Sequence, residues 1–190
     1  MTILAIVSCL LSLVVISALA VMWSGYNRLV MLDSRCEAAL SDVDVQLKHR
    51  HGLLPNLVET VKGFATQERT VLEQVTAARG RALGARTEES RVEAESDLSG
   101  RVQMLLTVAE KYPELQSDRH FRNLAQEIAD AEHKIAAARR YHNAAVKEYN
   151  ASLRQFPNNL IAGRMSLGQR AHYDLGMERI FVEEAPTVKF

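Results

Sequence analysis

Neither sign of charge is in excess in this 190-residue chain, where 23 Lys and Arg balance 23 Asp and Glu. A nucleic-acid-binding module needs clustered cations to displace condensed counterions, so zero net charge argues against that class. Cysteine is almost missing. Of the two present, Cys9 lies in an apolar run and Cys36 on an apolar helical stripe; neither reads as half of a disulfide, and the redox compartment stays undecided. No stretch alternates at period two for long enough to propose a strand. Catalytic motifs are equally scarce. Gly80 and Gly84 are not followed by Gly-Lys-Ser or Gly-Lys-Thr, which rules out a phosphate loop. A di-iron bundle needs two Glu-x-x-His pairs, but the nearest pattern is Asp130-x-x-His133, and no other histidine has a carboxylate three residues before it. His49 and His51 are two apart and point to different faces of a helix, so they read as solvated or turn-satisfying histidines. The stripe around Cys36 implies a buried, inert thiol. No catalytic residue, cofactor or metal is expected.

What the chain does contain is one uncharged apolar run, Ile3 to Trp23. Roughly 21 residues at a rise of about 1.5 Å span ~31 Å, close to the hydrocarbon thickness of a bilayer. Two other readings are weighed against a membrane span. Ala18-Leu19-Ala20 offers a signal-peptidase-like pattern, but no Lys or Arg precedes the run and apolar residues continue to Trp23. Ile6-Val7-Ser8-Cys9 superficially resembles a lipid-attachment site, with nothing ahead of it to be threaded first. Arg28 and Arg35 follow the span, with Lys48 and Arg50 farther on, so the positive-inside bias leaves the N-terminus outside and the bulk of the chain in the cytoplasm. Trp23 and Tyr26 fall where an interfacial aromatic belt belongs.

Beyond the run the pattern is helical. Leu29, Leu32, Cys36, Leu40, Val43 and Leu47 draw one stripe along a helix from about Gly25 to Arg50. Gly52 suits a helix C-terminus and Pro55 the first turn of the next helix, so residues 51–55 are expected to form a tight turn, with a kink inside one longer helix as the alternative. Leu57, Val61, Phe64, Glu68, Val71, Val75, Ala78 and Ala82 keep a four-three alternation, the seam of a second helix. A third helix carries Val92, Val102, Leu105, Leu106 and Ala109 and stops at Tyr112-Pro113. The fourth and longest runs from Leu124 through Ile128, Ala131, Ile135, Ala138, His142, Ala145, Tyr149 and Ser152 to Phe156 and ends at Pro157. Short connections favour antiparallel neighbours, so the expected fold is all-α: an N-terminal transmembrane helix followed by an up-and-down antiparallel four-helix bundle. The expected division is an anchor over residues 1–24, a bundle over 25–157 and a partly flexible tail over 158–190.

Three segments carry a family resemblance. Tyr26-Asn27-Arg28-Leu29-Val30, the stretch from Asp44-Val45-Gln46-Leu47-Lys48 through Leu54-Pro55-Asn56-Leu57-Val58-Glu59 to Phe64-Ala65, and Glu132-His133-Lys134-Ile135 through Tyr141-His142-Asn143 and Glu148-Tyr149-Asn150 to Phe156-Pro157-Asn158-Asn159-Leu160 resemble the hallmark of the LemA family, in order, across nearly the whole chain. The sequence departs from the family pattern at Gly52, usually aspartate, at His142, usually tyrosine, and at Ala144, usually acidic. The resemblance implies a single-pass membrane protein with a helical-bundle domain, some relatives being associated with envelope physiology and with shaping specialised bacterial membranes. It implies no agreed enzymatic activity.

The polar residues within apolar seams are the informative ones. Glu68 and His142 occupy seam positions where an unpaired polar group would be costly, so each is expected to pair or to mark a locally wet seam. Asp44, Gln46, Pro55, Asn56 and Asn143 fall in the recognisable segments and are candidate structural or interaction residues, with capping and turn hydrogen bonds as the simpler account for the asparagines and aspartate. Pro186-Thr187-Val188-Lys189-Phe190 could add as a strand to a peptide-binding groove, with Phe190 in a pocket, or could tuck against the chain's own bundle. The expected function is a membrane-anchored scaffold or adaptor that contacts the bilayer through residues 3–23 and presents a face to envelope proteins or to itself. Membrane organisation by self-association is the alternative.

Overall fold

A computed structural model describes residues 1–165 and 167–173 of the chain. Among these there is no strand, and the helices are α1 (Thr2–Phe64), α2 (Arg69–Gly84), α3 (Glu88–Ala109), α4 (Pro113–Ser117), α5 (Arg119–Arg154) and α6 (Asn158–Met165). The architecture is an all-α bundle whose first helix begins with the apolar run. Every described side chain from Ile3 to Trp23 is exposed, so none of that run packs into the protein's own core.

The tight turn expected at residues 51–55 is not formed: α1 passes through Gly52 and Pro55 without a break. A proline inside a helix removes the bond from its own nitrogen to the carbonyl four residues back, here that of His51. That carbonyl accepts instead from Arg79 Nε of α2 at 3.0 Å, which is why the helix survives its proline. The chain reverses later, at Ala65–Glu68, where a 3-10 turn over Thr66–Glu68 separates α1 from α2. The four-three seam expected to run unbroken from Leu57 to Ala82 shifts phase there. Ala65 and Leu72 are buried, whereas Phe64 is exposed and Val71 only half-buried.

The chain divides into two compact units, and α1 and α5 contribute to both. In the unit built on residues 42–139 with Tyr173, Leu54, Leu57, Val75, Leu98, Leu105 and Ile128 are fully buried core residues from four helices. Cross-helix pairs give their directions. Val58 and Lys62 of α1 share a groove with Leu72 and Arg69 of α2 while His51 meets Arg79, so α2 descends as α1 climbs. Arg81–Asp97 and Gln74–Arg101 likewise run in opposite order between α2 and α3. Asp44–Arg91 and Arg50–Ser99 run in the same order between α1 and α3, as an up-and-down bundle requires. Helix starts are satisfied locally. Thr87 and Ser90 form a reciprocal capping box at α3, and Asp118 Oδ1 accepts from the Phe121 amide at α5.

The other unit, residues 1–41 and 140–172, packs Leu29, Leu32, Cys36 and Ala39 of α1 against Ala145, Val146, Tyr149 and Leu153 of α5 and Ile161 and Ala162 of α6. The segment after α6 is fastened by Arg170. Its guanidinium meets Asp33 Oδ1 at 2.7 Å and Glu37 Oε1 at 3.1 Å, and its backbone N–H and C=O are both bonded by the Asn150 amide. Gly25 lets α6 come close, since a Cβ there would lie 2.5 Å from Asn158 Oδ1 and 3.1 Å from Ile161 Cδ1. Asn158 is buried and bonds to Ser152 Oγ at 3.0 Å, so it has little room to yield. Gly25→Ala is therefore expected to destabilise by about 1–3 kcal/mol. Gly52→Ala, at an exposed helical position with nothing within 4 Å, is expected to stabilise by about 0.5–1 kcal/mol. Thermal unfolding of the two variants beside the parent checks both signs; a loss for Gly52→Ala would show that the glycine terminates a helix after all.

Candidate functional site

Arg50 is fully buried, although its place among the cations after the apolar run suggests a solvated flank. It stands on the α1 seam, three residues after Leu47 and four before Leu54, so its guanidinium enters the middle of the bundle. Glu95 stands likewise on the α3 seam, three residues before Leu98. Its Oε2 accepts from Arg50 Nη2 in a short, buried ion pair. Glu132 of α5 accepts from Arg50 Nη1 at 2.6 Å, and Ser99 Oγ of α3 accepts from the same nitrogen. His51, expected to be solvated or turn-satisfying, is buried instead; its Nε2 donates to Glu95 Oε1 at 2.9 Å. The next helix completes the set, because Arg79 of α2 holds the carbonyl of His51. One contiguous network thus ties together all four bundle helices.

Its electrostatics are nearly balanced. Burial alone would raise the Glu95 pKa, but the hydrogen bond from His51 and the adjacent Arg50 charge outweigh it and hold the carboxyl below its ordinary range. Glu132 is the member nearest water, its side chain 31% exposed. The network can fix helix register and discriminate against misaligned packing, a role polar core groups are known to take. Both carboxylates are already engaged by the guanidinium, and no group of three or more His, Cys, Asp and Glu among the described residues is placed to hold a metal. Two surface grooves, one lined by Val58, Lys62 and Leu72 and the other by Arg81, Arg86 and Asp97, include no member of the network.

The residues singled out from sequence are dispersed. Asp44 of α1 is half-buried and pairs with Arg91 of α3 at 2.8 Å, while Gln46 is half-buried nearby on the same helix. Pro55 and Asn56 are exposed on α1, where the Asn56 carbonyl accepts from Thr60 Oγ1. Glu68 sits in the 3-10 turn rather than on a helical seam, half-buried, with the Tyr112 hydroxyl donating to its Oε1 at 3.0 Å. His142 is buried and Asn143 half-buried in the other unit. Phe190 lies outside the described residues. Cys36 is buried, and that burial pushes its thiol pKa up, away from a reactive thiolate.

A long helix that begins with an apolar stem and continues into a bundle with a buried ion-pair network defines a class of all-α proteins with an apolar N-terminal helix. Comparison with known sequences narrows the class. The profile of the LemA family matches residues 39–190, and the chain belongs to that family. It is 24% identical over 174 residues to magnetosome protein MamQ 2 of Paramagnetospirillum magneticum, an alignment covering 78% of this chain and 64% of that protein. It is 23% identical over 163 residues to magnetosome protein MamQ of Magnetospirillum gryphiswaldense, covering 72% and 60%. A third relative, protein LemA of Metamycoplasma hominis, is 23% identical over 159 residues, covering 83% and 73%. The chain therefore spans less than two thirds of the length of the MamQ relatives.

Proposed function

We propose that this protein is a single-pass, membrane-anchored helical scaffold, with residues 1–24 as the anchor, the N-terminus outside and the bundle presented in the cytoplasm to envelope proteins or to further copies of itself. The carrying observation is the run Ile3–Trp23. Its large apolar side chains are exposed along a helix long and apolar enough to cross a bilayer, and the same helix continues without interruption into the bundle core. An uninterrupted α-helix satisfies its own backbone in lipid, and the cations Arg28 and Arg35 follow the span. The interior network supports a rigid presenting role, because Arg50 is paired with both Glu95 and Glu132 and ties α1 to α3 and α5.

The second reading, organisation of the membrane by self-association, is favoured by the magnetosome relatives and by the link to specialised bacterial membranes that the family resemblance carries. Full-length protein reconstituted alone into vesicles separates the two: clustering or deformation without any added partner supports organisation, and unchanged vesicles support the scaffold. A reporter fused after Phe190 should be active in the cytoplasm and silent outside, and charge reversal at Arg28 and Arg35 should weaken that preference. Protease digestion of the bundle in intact cells would refute the orientation.

A further inference from the structure

The helix α6 lies against α1 at the exit of the apolar run. Gly25 follows Trp23 by two residues, about 3 Å along the axis, and it is the point that Asn158 and Ile161 approach closely. Whatever surrounds the end of the span must therefore also meet α6. The corner exposes apolar side chains that water does not favour: Phe156 is 79% exposed, Leu160 59% and Met165 49%. Arg164 follows Leu160 by one turn and is exposed, as is Arg28 on α1. Apolar groups beside cations within one turn of a bilayer exit match the composition of an interfacial element, whose apolar side chains enter the headgroup–acyl boundary while arginines reach phosphates.

We propose that the corner Phe156–Met165 is a second membrane contact, docked on the lipid interface beside the span, with Phe156, Leu160 and Met165 inserted and Arg164 at the phosphates. This rests on the reading of residues 3–23 as a membrane span. The occupant is lipid because α6 packs on Gly25, two residues past the exposed Trp23 of the apolar run, and because Asn158, bonded to Ser152, holds α6 at that level. The contact would set the stem at a fixed depth rather than leave it to slide.

The chain has one tryptophan, Trp23, which makes the test direct. Full-length parent protein and a Trp23→Phe/Phe156→Trp variant, whose single indole reports on the corner, are reconstituted into phosphatidylcholine–phosphatidylglycerol vesicles carrying nitroxides at a shallow or a deep acyl position. Insertion to ~5–10 Å predicts that shallow nitroxides quench the variant's emission by roughly half and more strongly than deep ones, with blue-shifted emission. Adding Leu160→Asp and Met165→Asp, both at exposed positions, should largely abolish that quenching while circular dichroism stays unchanged. Quenching of Trp23 in the parent without quenching of the corner indole in the variant would overturn the interfacial contact and leave the span intact. Variant emission that is blue-shifted yet insensitive to lipid nitroxides would assign the corner to a second copy of the chain and equally overturn it. Absence of quenching at Trp23 would remove the span and this contact together.

Discussion

Arg50→Met is expected to destabilise the bundle by about 3–5 kcal/mol, the usual consequence of removing one partner of a buried ion pair. The loss is large because Glu95 is left in the core with only His51 to compensate its charge. Glu132 suffers less, being partly exposed and able to hydrate. Replacing the whole buried pair is a different experiment. In Arg50→Met/Glu95→Leu no charge is stranded, so most of the stability should return, and the excess of the single-variant losses over the double measures the pair. Denaturant unfolding of the detergent-solubilised chain reads all three; a loss below about 1 kcal/mol for Arg50→Met would show water reaching Glu95. Acid should act through the same group. Because the Glu95 pKa is lower in the folded protein than its ordinary 4.5, the unfolded chain takes up the proton first. Its contribution is then complete above the unfolded value and is lost as pH falls through the folded one. Glu95→Gln should flatten that part of the stability profile.

Much of this was legible in the sequence and part was legible but misassigned. The apolar run and the all-α class follow directly from hydrophobic periodicity, and so does most of the α5 seam, although α5 ends at Arg154 and leaves Phe156 exposed. On α3 the expected Val92 and Leu106 are only half-buried, and the seam passes through Leu98 instead. The misplaced turn has a local cause: Gly52 and Pro55 look like punctuation, yet the four-three seam runs on through them as Val43, Leu47, Arg50, Leu54, Leu57 and Val61, all buried. Accepting Arg50 as a seam residue would have revealed both the continuous helix and the buried cation. Glu95, in step with Leu98, Val102, Leu105 and Ala109, is its counterpart on α3, and a lone cation and a lone anion on two seams are the signal of an interior pair. The reversal at Ala65–Glu68 carries no such mark, since it contains neither glycine nor proline; its sign is the phase shift from Phe64 to Ala65. Contacts such as Arg79 to the His51 carbonyl are set by tertiary approach of α2, which local pattern does not encode.

That last contact predicts a specific coupling between two residues distant in the chain, Pro55 and Arg79. In the parent protein, Arg79→Ala should cost about 1–3 kcal/mol, because the His51 carbonyl has lost its helical donor to the proline and then loses its substitute. Pro55→Ala returns an N–H four residues beyond that carbonyl and removes a ring poorly suited to a helix interior, so it should stabilise by up to about 3 kcal/mol. In the Pro55→Ala background the carbonyl is bonded whether or not Arg79 is present. Arg79→Ala should then cost well under 1 kcal/mol, giving a coupling of roughly 1–2 kcal/mol in a double-mutant cycle. Equal losses in the two backgrounds would mean that Arg79 stabilises through packing of its stem and not through the carbonyl. Selective dependence on Pro55 would establish that the bundle's second helix completes the first, and that the continuity of α1 from its apolar stem to Phe64 is maintained by a side chain from outside the helix.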